Sequence, residues 1–251
     1  MKAVAVFADP VFEPSDPRLA AVARVASGTQ TVQVTSRATD APDPLQQALR
    51  GLRGLRTGGL GRLPFSRREA DVIVALAPRT QALQATGFEA NREAATSTRL
   101  AEYRIVHFAT HGVLNARRPE LSGIVLSLFD ERGQKQDGFL RLHDVYNLRL
   151  DADLVVLSGC QTALGKDLKG EGLVGLTRGF MYAGARSVVA SLWQVDDEST
   201  AELMKRFYRA MLKENRRPAD ALRAAQLEMS RDKRWYAPFY WAGFVLQGEW
   251  R

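Results

Sequence analysis

Cysteine is nearly absent from this chain of 251 residues, where Cys160 is the only one. An internal disulfide is excluded, which points to a reducing, cytoplasmic setting. Long apolar runs are missing as well. No stretch approaches the roughly eighteen apolar residues of a membrane span. The apolar run in the opening MKAVAVFADP ends at Asp9 and Pro10, too soon for the apolar region of a signal peptide. No membrane association is expected.

Acidic residues are lacking between Asp43 and Glu69, whereas Arg50, Arg53, Arg56, Arg62, Arg67 and Arg68 all fall there. An Arg/Gly-rich loop at about 50–64 follows from that composition. One reading is a footprint for nucleic acid. The other is a solvated loop, and it fits better, because no aromatic residue stands among Arg50, Arg53, Arg56 and Arg62 to stack on bases. Nucleic acid is therefore not the expected partner.

What is present is an ordinary globular composition, 45% hydrophobic and 25% charged, with a net charge of +7. Apolar runs that suit strands lie at 3–8, 31–34, 105–109, 124–129, 139–142, 154–157, 187–192 and 244–247. Amphipathic stretches that suit helices lie at 18–26, 66–76, 91–100, 172–183, 198–213 and 218–230, with a short one at 45–52. Ser66 and Glu69 have capping-box spacing at the start of one of them. The alternation predicts an α/β fold over residues 1–251, with a mainly parallel sheet covered on both faces. Ligands of such sheets bind at the carboxyl ends of the strands.

Two strand ends carry reactive side chains. YRIVHFATHG delivers His111 and Gly112, and LVVLSGCQT delivers Cys160 after a Ser-Gly pair. A lone cysteine is most often a small buried hydrophobe. A strand end after Ser-Gly is a place where no core residue is needed, which favours a reactive thiol. His111 and Cys160 stand 49 positions apart, a separation that fits neighbouring strands with one inserted hairpin. The chemistry would be acyl transfer, with His111 accepting the thiol proton. The backbone N–H groups of Gly112 and Cys160 would form the oxyanion hole. His107, mid-strand, reads as a satisfied core histidine, and His143 as an exposed residue near a helix start.

Other patterns fail on chemistry. GEGLVG at 170–175 has a dinucleotide-binding spacing but does not begin at a strand end. The 159–166 stretch has five residues between its glycines and Asp167 where a P-loop needs Ser or Thr. His107 and His111 have a zinc spacing only on a helix, and the segment reads as a strand. No metal or cofactor is expected.

HFATHG, LVVLSGCQTALG, GEGLVGLTRGFMYAGARSVVASLWQVDDEST and YAPFYWAGFVLQGE together resemble the CHAT domain, a caspase- and separase-like cysteine peptidase domain. The resemblance runs from FADP through LPFSRREAD to Gly248. Caspases place the histidine about 50 residues before the cysteine, although their QAC-x-G sequence is absent here. The resemblance implies a caspase-like three-layer α/β sandwich, His111 as base and Cys160 as nucleophile. In separases a Trp-centred motif carries an aspartate that reads a basic side chain. The matching LWQVDD puts Asp197 at the second aspartate of that motif and Gln194 at the first. The implied activity is cleavage of a protein or peptide substrate after Arg or Lys, with Asp197, or else Asp196, at the floor of the pocket. Capping of the next helix is the competing role for both. Relatives are often fused to tetratricopeptide repeats, so a regulatory or repeat-containing partner is also implied. A caspase-like interaction module with little turnover is the alternative function.

Overall fold

The computed structural model describes residues 1–19, 44–50, 60–115, 118–159 and 171–250. Its strands are β1 (Lys2–Ala8), β2 (Ala82–Thr86), β3 (Tyr103–Ala109), β4 (Gly112–Val113), β5 (Gly123–Val125), β6 (Phe139–Arg141), β7 (Leu154–Leu157), β8 (Ser187–Ser191) and β9 (Phe244–Gly248). Its α-helices are α1 (Pro44–Arg50), α2 (Pro64–Leu76), α3 (Arg92–Ala95), α4 (Leu142–Tyr146), α5 (Glu171–Tyr182), α6 (Asp197–Leu212) and α7 (Pro218–Arg231). The expected helix at 18–26 and strand at 31–34 fall largely outside the described residues.

Six strands form the main sheet in the order β2-β1-β3-β7-β8-β9. All neighbours are parallel except β8 and β9. The apolar runs are continuous because both faces are covered, and alternate residues serve opposite faces. Ala5, Phe7, Val106, Phe108 and Val155 pack with Leu142 and Val145 of α4 and Leu176 and Phe180 of α5. Val4, Val6, Ile105 and Val156 pack with Ile73 of α2, Leu203 and Phe207 of α6, and Ala225 of α7. The result is the three-layer α/β arrangement expected from the sequence.

Beyond the carboxyl end of β3 a second, antiparallel sheet runs β4-β5-β6. The expected hairpin is its β5–β6 pair. Phe12, Val113, Val125 and Phe139 bury a third apolar cluster against it, joined by Leu45 of α1 and by Leu60. This cluster sits next to the carboxyl end of β3, where its Phe12 packs on His111.

Three local expectations are corrected. The edge strand β2 was not expected. Its sequence, ALQAT, is only half-buried and lacks an apolar run. The helix expected over 91–100 is one turn, Arg92–Ala95, started by Asn91, whose side chain accepts the Ala94 N–H. Ser97 then caps a separate 3-10 turn, Thr98–Glu102, because the hydroxyl-rich Thr96-Ser97-Thr98 competes for backbone bonds. Ser66 is not a cap either. The preset φ of Pro64 starts α2 earlier, behind Leu63. Ser66 and Glu69 are thereby turned inward, where both are buried.

Candidate functional site at the carboxyl ends of β3 and β7

Parallel pairing of β3 with β7 sets Phe108 opposite Leu157, and the Ser158 N–H donates to the Phe108 carbonyl at 3.1 Å. The chains stay close beyond the ladder. Gly159 lies so near Thr110 that an added Cβ would overlap the Thr110 carbonyl oxygen and approach its C and N atoms to 2.8 Å. Glycine is required by this approach. The residues just before His111 and just before Cys160 are thus in backbone contact. Cys160 itself lies outside the described residues.

A cleft of about 290 Å³ opens at these strand ends, lined by His111, Ser158, Gly159, Glu69, Asp196 and Asp197 among others. His111 is 1% exposed. Its Nε2 lies 2.6 Å from the Gly61 carbonyl oxygen. A carbonyl only accepts, so Nε2 carries the hydrogen. Nδ1 is buried and has no hydrogen-bond partner among the described residues. Burial lowers the pKa of His111, and the Gly61 bond opposes that in part. The ring is therefore biased toward the neutral form, with a bare lone pair on Nδ1, which is the state a general base requires. The Phe12 ring packs against the imidazole at 4.9 Å between centroids.

Gly112 opens β4. The Val125 N–H donates to the His111 carbonyl at 2.8 Å, so Gly112 and Ile124 form a rung without direct hydrogen bonds. The Gly112 N–H accordingly faces away from β5.

Asp196 and Asp197 separate in role. Asp196 is exposed and is the N-cap of α6, its Oδ1 accepting the Ser199 N–H at 2.9 Å. Asp197, the first residue of the helix, accepts the Phe65 N–H on Oδ2 at 2.9 Å. Burial pushes its carboxyl up to about 6. The Phe65 bond acts against that rise, and the nearby Glu69, Asp196 and Asp9 carboxylates add to it.

His107 is a core histidine, as expected. Tyr208 of α6 lies 2.9 Å from its Nδ1, and Glu69 of α2 lies 2.7 Å from its Nε2. Burial raises the Tyr208 pKa well above the ordinary value, so its O–H remains and can donate to Nδ1. The Ser158 hydroxyl also approaches Nε2, at 3.2 Å. Serine and carboxylate share one ring nitrogen here, whereas a nucleophilic serine triad needs them on opposite nitrogens. His143, with its side chain 61% exposed, sits in α4 as expected.

Several residues at the site had escaped sequence reasoning. Gly61 and Arg62 close the Arg/Gly-rich stretch expected to be a solvated loop, whose residues 51–59 lie outside the described ones. Arg62 binds the Asp9 carboxylate through Nε at 2.7 Å and Nη2 at 2.8 Å. Asp9 belongs to FADP, a stretch that entered the family resemblance without an assigned role. Its φ of 49° was the one unusual feature, invisible in the residue pattern.

Among the described residues no helix is long and apolar enough to cross a membrane. The family model of the CHAT domain matches residues 5–249. Tetratricopeptide repeat protein 28 of Mus musculus is 38% identical over 105 residues, which is 42% of this chain and 4% of that protein. Its namesake in Homo sapiens is 35% identical over 113 residues, 45% of this chain and 4% of that protein. The chain thus spans only a small part of the length of these relatives.

Proposed function

The chain belongs to the CHAT domain family, whose fold is caspase-like, and from that premise we propose that it is a cysteine endopeptidase. Cys160 is the nucleophile and His111 the base. The thiol proton passes to His111 Nδ1 as sulfur attacks the scissile carbonyl. The N–H groups of Gly112 and Cys160 receive the oxyanion. His111 then returns the proton to the leaving amine, and water releases the acyl group.

The observation that carries this reading is the backbone contact between Gly159 and Thr110, which brings the chain to the threshold of Cys160 beside a histidine with a bare, buried nitrogen. The acidic lining of the cleft supports a basic side chain as its occupant, with Asp197 the carboxylate that reads it. Asp196, engaged as a cap, serves second. We read the whole chain as one peptidase domain, regulated by a partner or by a fused repeat segment.

A second reading, an interaction module with little turnover, draws on the relatives, whose names describe repeats rather than proteolysis. Peptide kinetics separate the two. The peptidase should cleave after Arg or Lys and lose cleavage entirely in Cys160→Ala, while that variant still binds its substrate. Preference for Asp-containing peptides would overturn the specificity. Unchanged function in Cys160→Ala would leave the interaction module.

A further inference from the structure

Residues 60–65 make four separate contacts in and around the site within a few positions. Leu60 is buried in the cluster of Phe12, Val113 and Phe139. Gly61 presents its carbonyl to His111. Arg62 turns the other way, onto Asp9. Phe65 gives its N–H to Asp197. A Cβ placed on Gly61 would meet nothing within 4 Å among the described residues, so no packed wall beside the residue orients it. The direction of its carbonyl is set by the residues on either side.

The anchor on the Arg62 side is stiff. Asp9 is 1% exposed at the end of β1 and has a left-handed backbone. Its N–H donates to Ser66 Oγ at 3.0 Å, and Arg18 Nη1 lies 3.0 Å from its Oδ2. The fork of Arg62 engages both carboxylate oxygens, which fixes orientation as well as distance. A lysine at the same position would keep the charge and lose that geometry.

We propose that Arg62, gripped by Asp9, is a positioning residue that aims the Gly61 carbonyl at His111 and so keeps the ring hydrogen on Nε2. The base lone pair on Nδ1 is thereby preserved with no side-chain acid on the imidazole among the described residues. The consequence for turnover rests on the peptidase reading above, but the ring tautomer does not depend on it. The same strap ends on Asp197, so the carboxylate proposed to read the substrate and the base proposed to act on it share one short support.

The test is nitrogen-15 NMR of the His111 ring in the full chain, assigned with His111→Gln, for the parent, Arg62→Ala and Arg62→Lys. The parent should show one tautomer, protonated on Nε2. Arg62→Ala should show mixed tautomers and a ring titration displaced toward ordinary histidine, and Arg62→Lys should fall between. Because Arg62 is 43% exposed, its truncation leaves no buried cavity. Asp9→Asn attacks the clamp from the other side and should give the same ring change. On an Arg peptide kcat should fall by about 10–10²-fold with KM nearly constant. A ring spectrum and titration unchanged in Arg62→Ala and Asp9→Asn would overturn the proposal, whatever happens to melting temperature. A parent chain that cleaves no peptide would remove the peptidase reading and leave the tautomer result to decide this one.

Discussion

His107 and His111 stand four positions apart, both buried, yet they are held in opposite ways. His107 points into the layer between the sheet and the helices α2 and α6. Each of its nitrogens meets a side chain from a different element. His111 lies just past the strand end, with one nitrogen on a backbone carbonyl and the other without a partner among the described residues. Degree of burial does not tell a structural imidazole from a poised one. The chemistry of the partners does: side chains on both nitrogens lock the ring into the fold, whereas a lone carbonyl orients it and leaves a lone pair available.

Exchanging the two residues breaks the comparison most sharply. His111→Gln should lower peptide cleavage by about 10³-fold or more, while unfolding costs change by only about 1 kcal/mol for the lost hydrogen bond. His107→Ala should do the reverse to first order. It leaves the Glu69 carboxylate buried without its partner, a change worth about 3–5 kcal/mol. At roughly 2–4 °C per kcal/mol for a chain of this size, the melting temperature should drop by about 6–20 °C. Adding Glu69→Gln should recover part of that loss, since the two sites are coupled. Calorimetry on the three variants checks it. Equal melting losses in His107→Ala and His111→Gln would erase the distinction.

The same contrast explains what the residue pattern could and could not reveal. β3 and β7 were legible because strands buried on both faces need continuous apolar runs, and their parallel pairing brings their carboxyl ends together. His107 was legible as core because it sits inside such a run. Ser66 and Glu69 misled because a capping box and a pair of inward-facing polar residues have identical spacing. Only the distant Asp9 and His107, which claim those side chains, decide between them. The stretch ending at Arg62 reads as a loop from its glycines, most of which lie outside the described residues. That its last residues reach back about fifty positions to Asp9, and forward as far to His111, is a tertiary fact with no local trace.

A smaller effect sharpens the division between the paired aspartates. Asp196 is exposed and caps α6, so Asp196→Ala should cost about 1 kcal/mol of stability and leave the proposed preference for basic peptides intact. Urea unfolding beside a peptide panel measures both. A loss of that preference would move the specificity role proposed for Asp197 to Asp196.

Asp197 gives the smallest shift and the most telling sign. Its carboxyl is pushed up to about 6 from 3.8, so the folded chain holds that proton more tightly than the unfolded chain does. Between those two values the folded state binds the extra proton, and stability must fall as pH rises through the window. The contribution is present in full below about pH 4 and lost above about pH 6. Asp197→Asn, whose amide oxygen can still accept the Phe65 N–H, should therefore raise stability at pH 8. Solvent screening holds the gain below about 1 kcal/mol, because the side chain is only partly buried. At pH 4 parent and variant should match. A helix-capping carboxylate predicts the opposite sign, since a negative charge in the first turn ordinarily stabilises. Thermal melts of both proteins across that pH range decide the matter. A variant weaker than the parent at pH 8 makes Asp197 a second cap. A stronger one marks a charge kept where it costs stability, which is how a residue retained for binding a cation behaves.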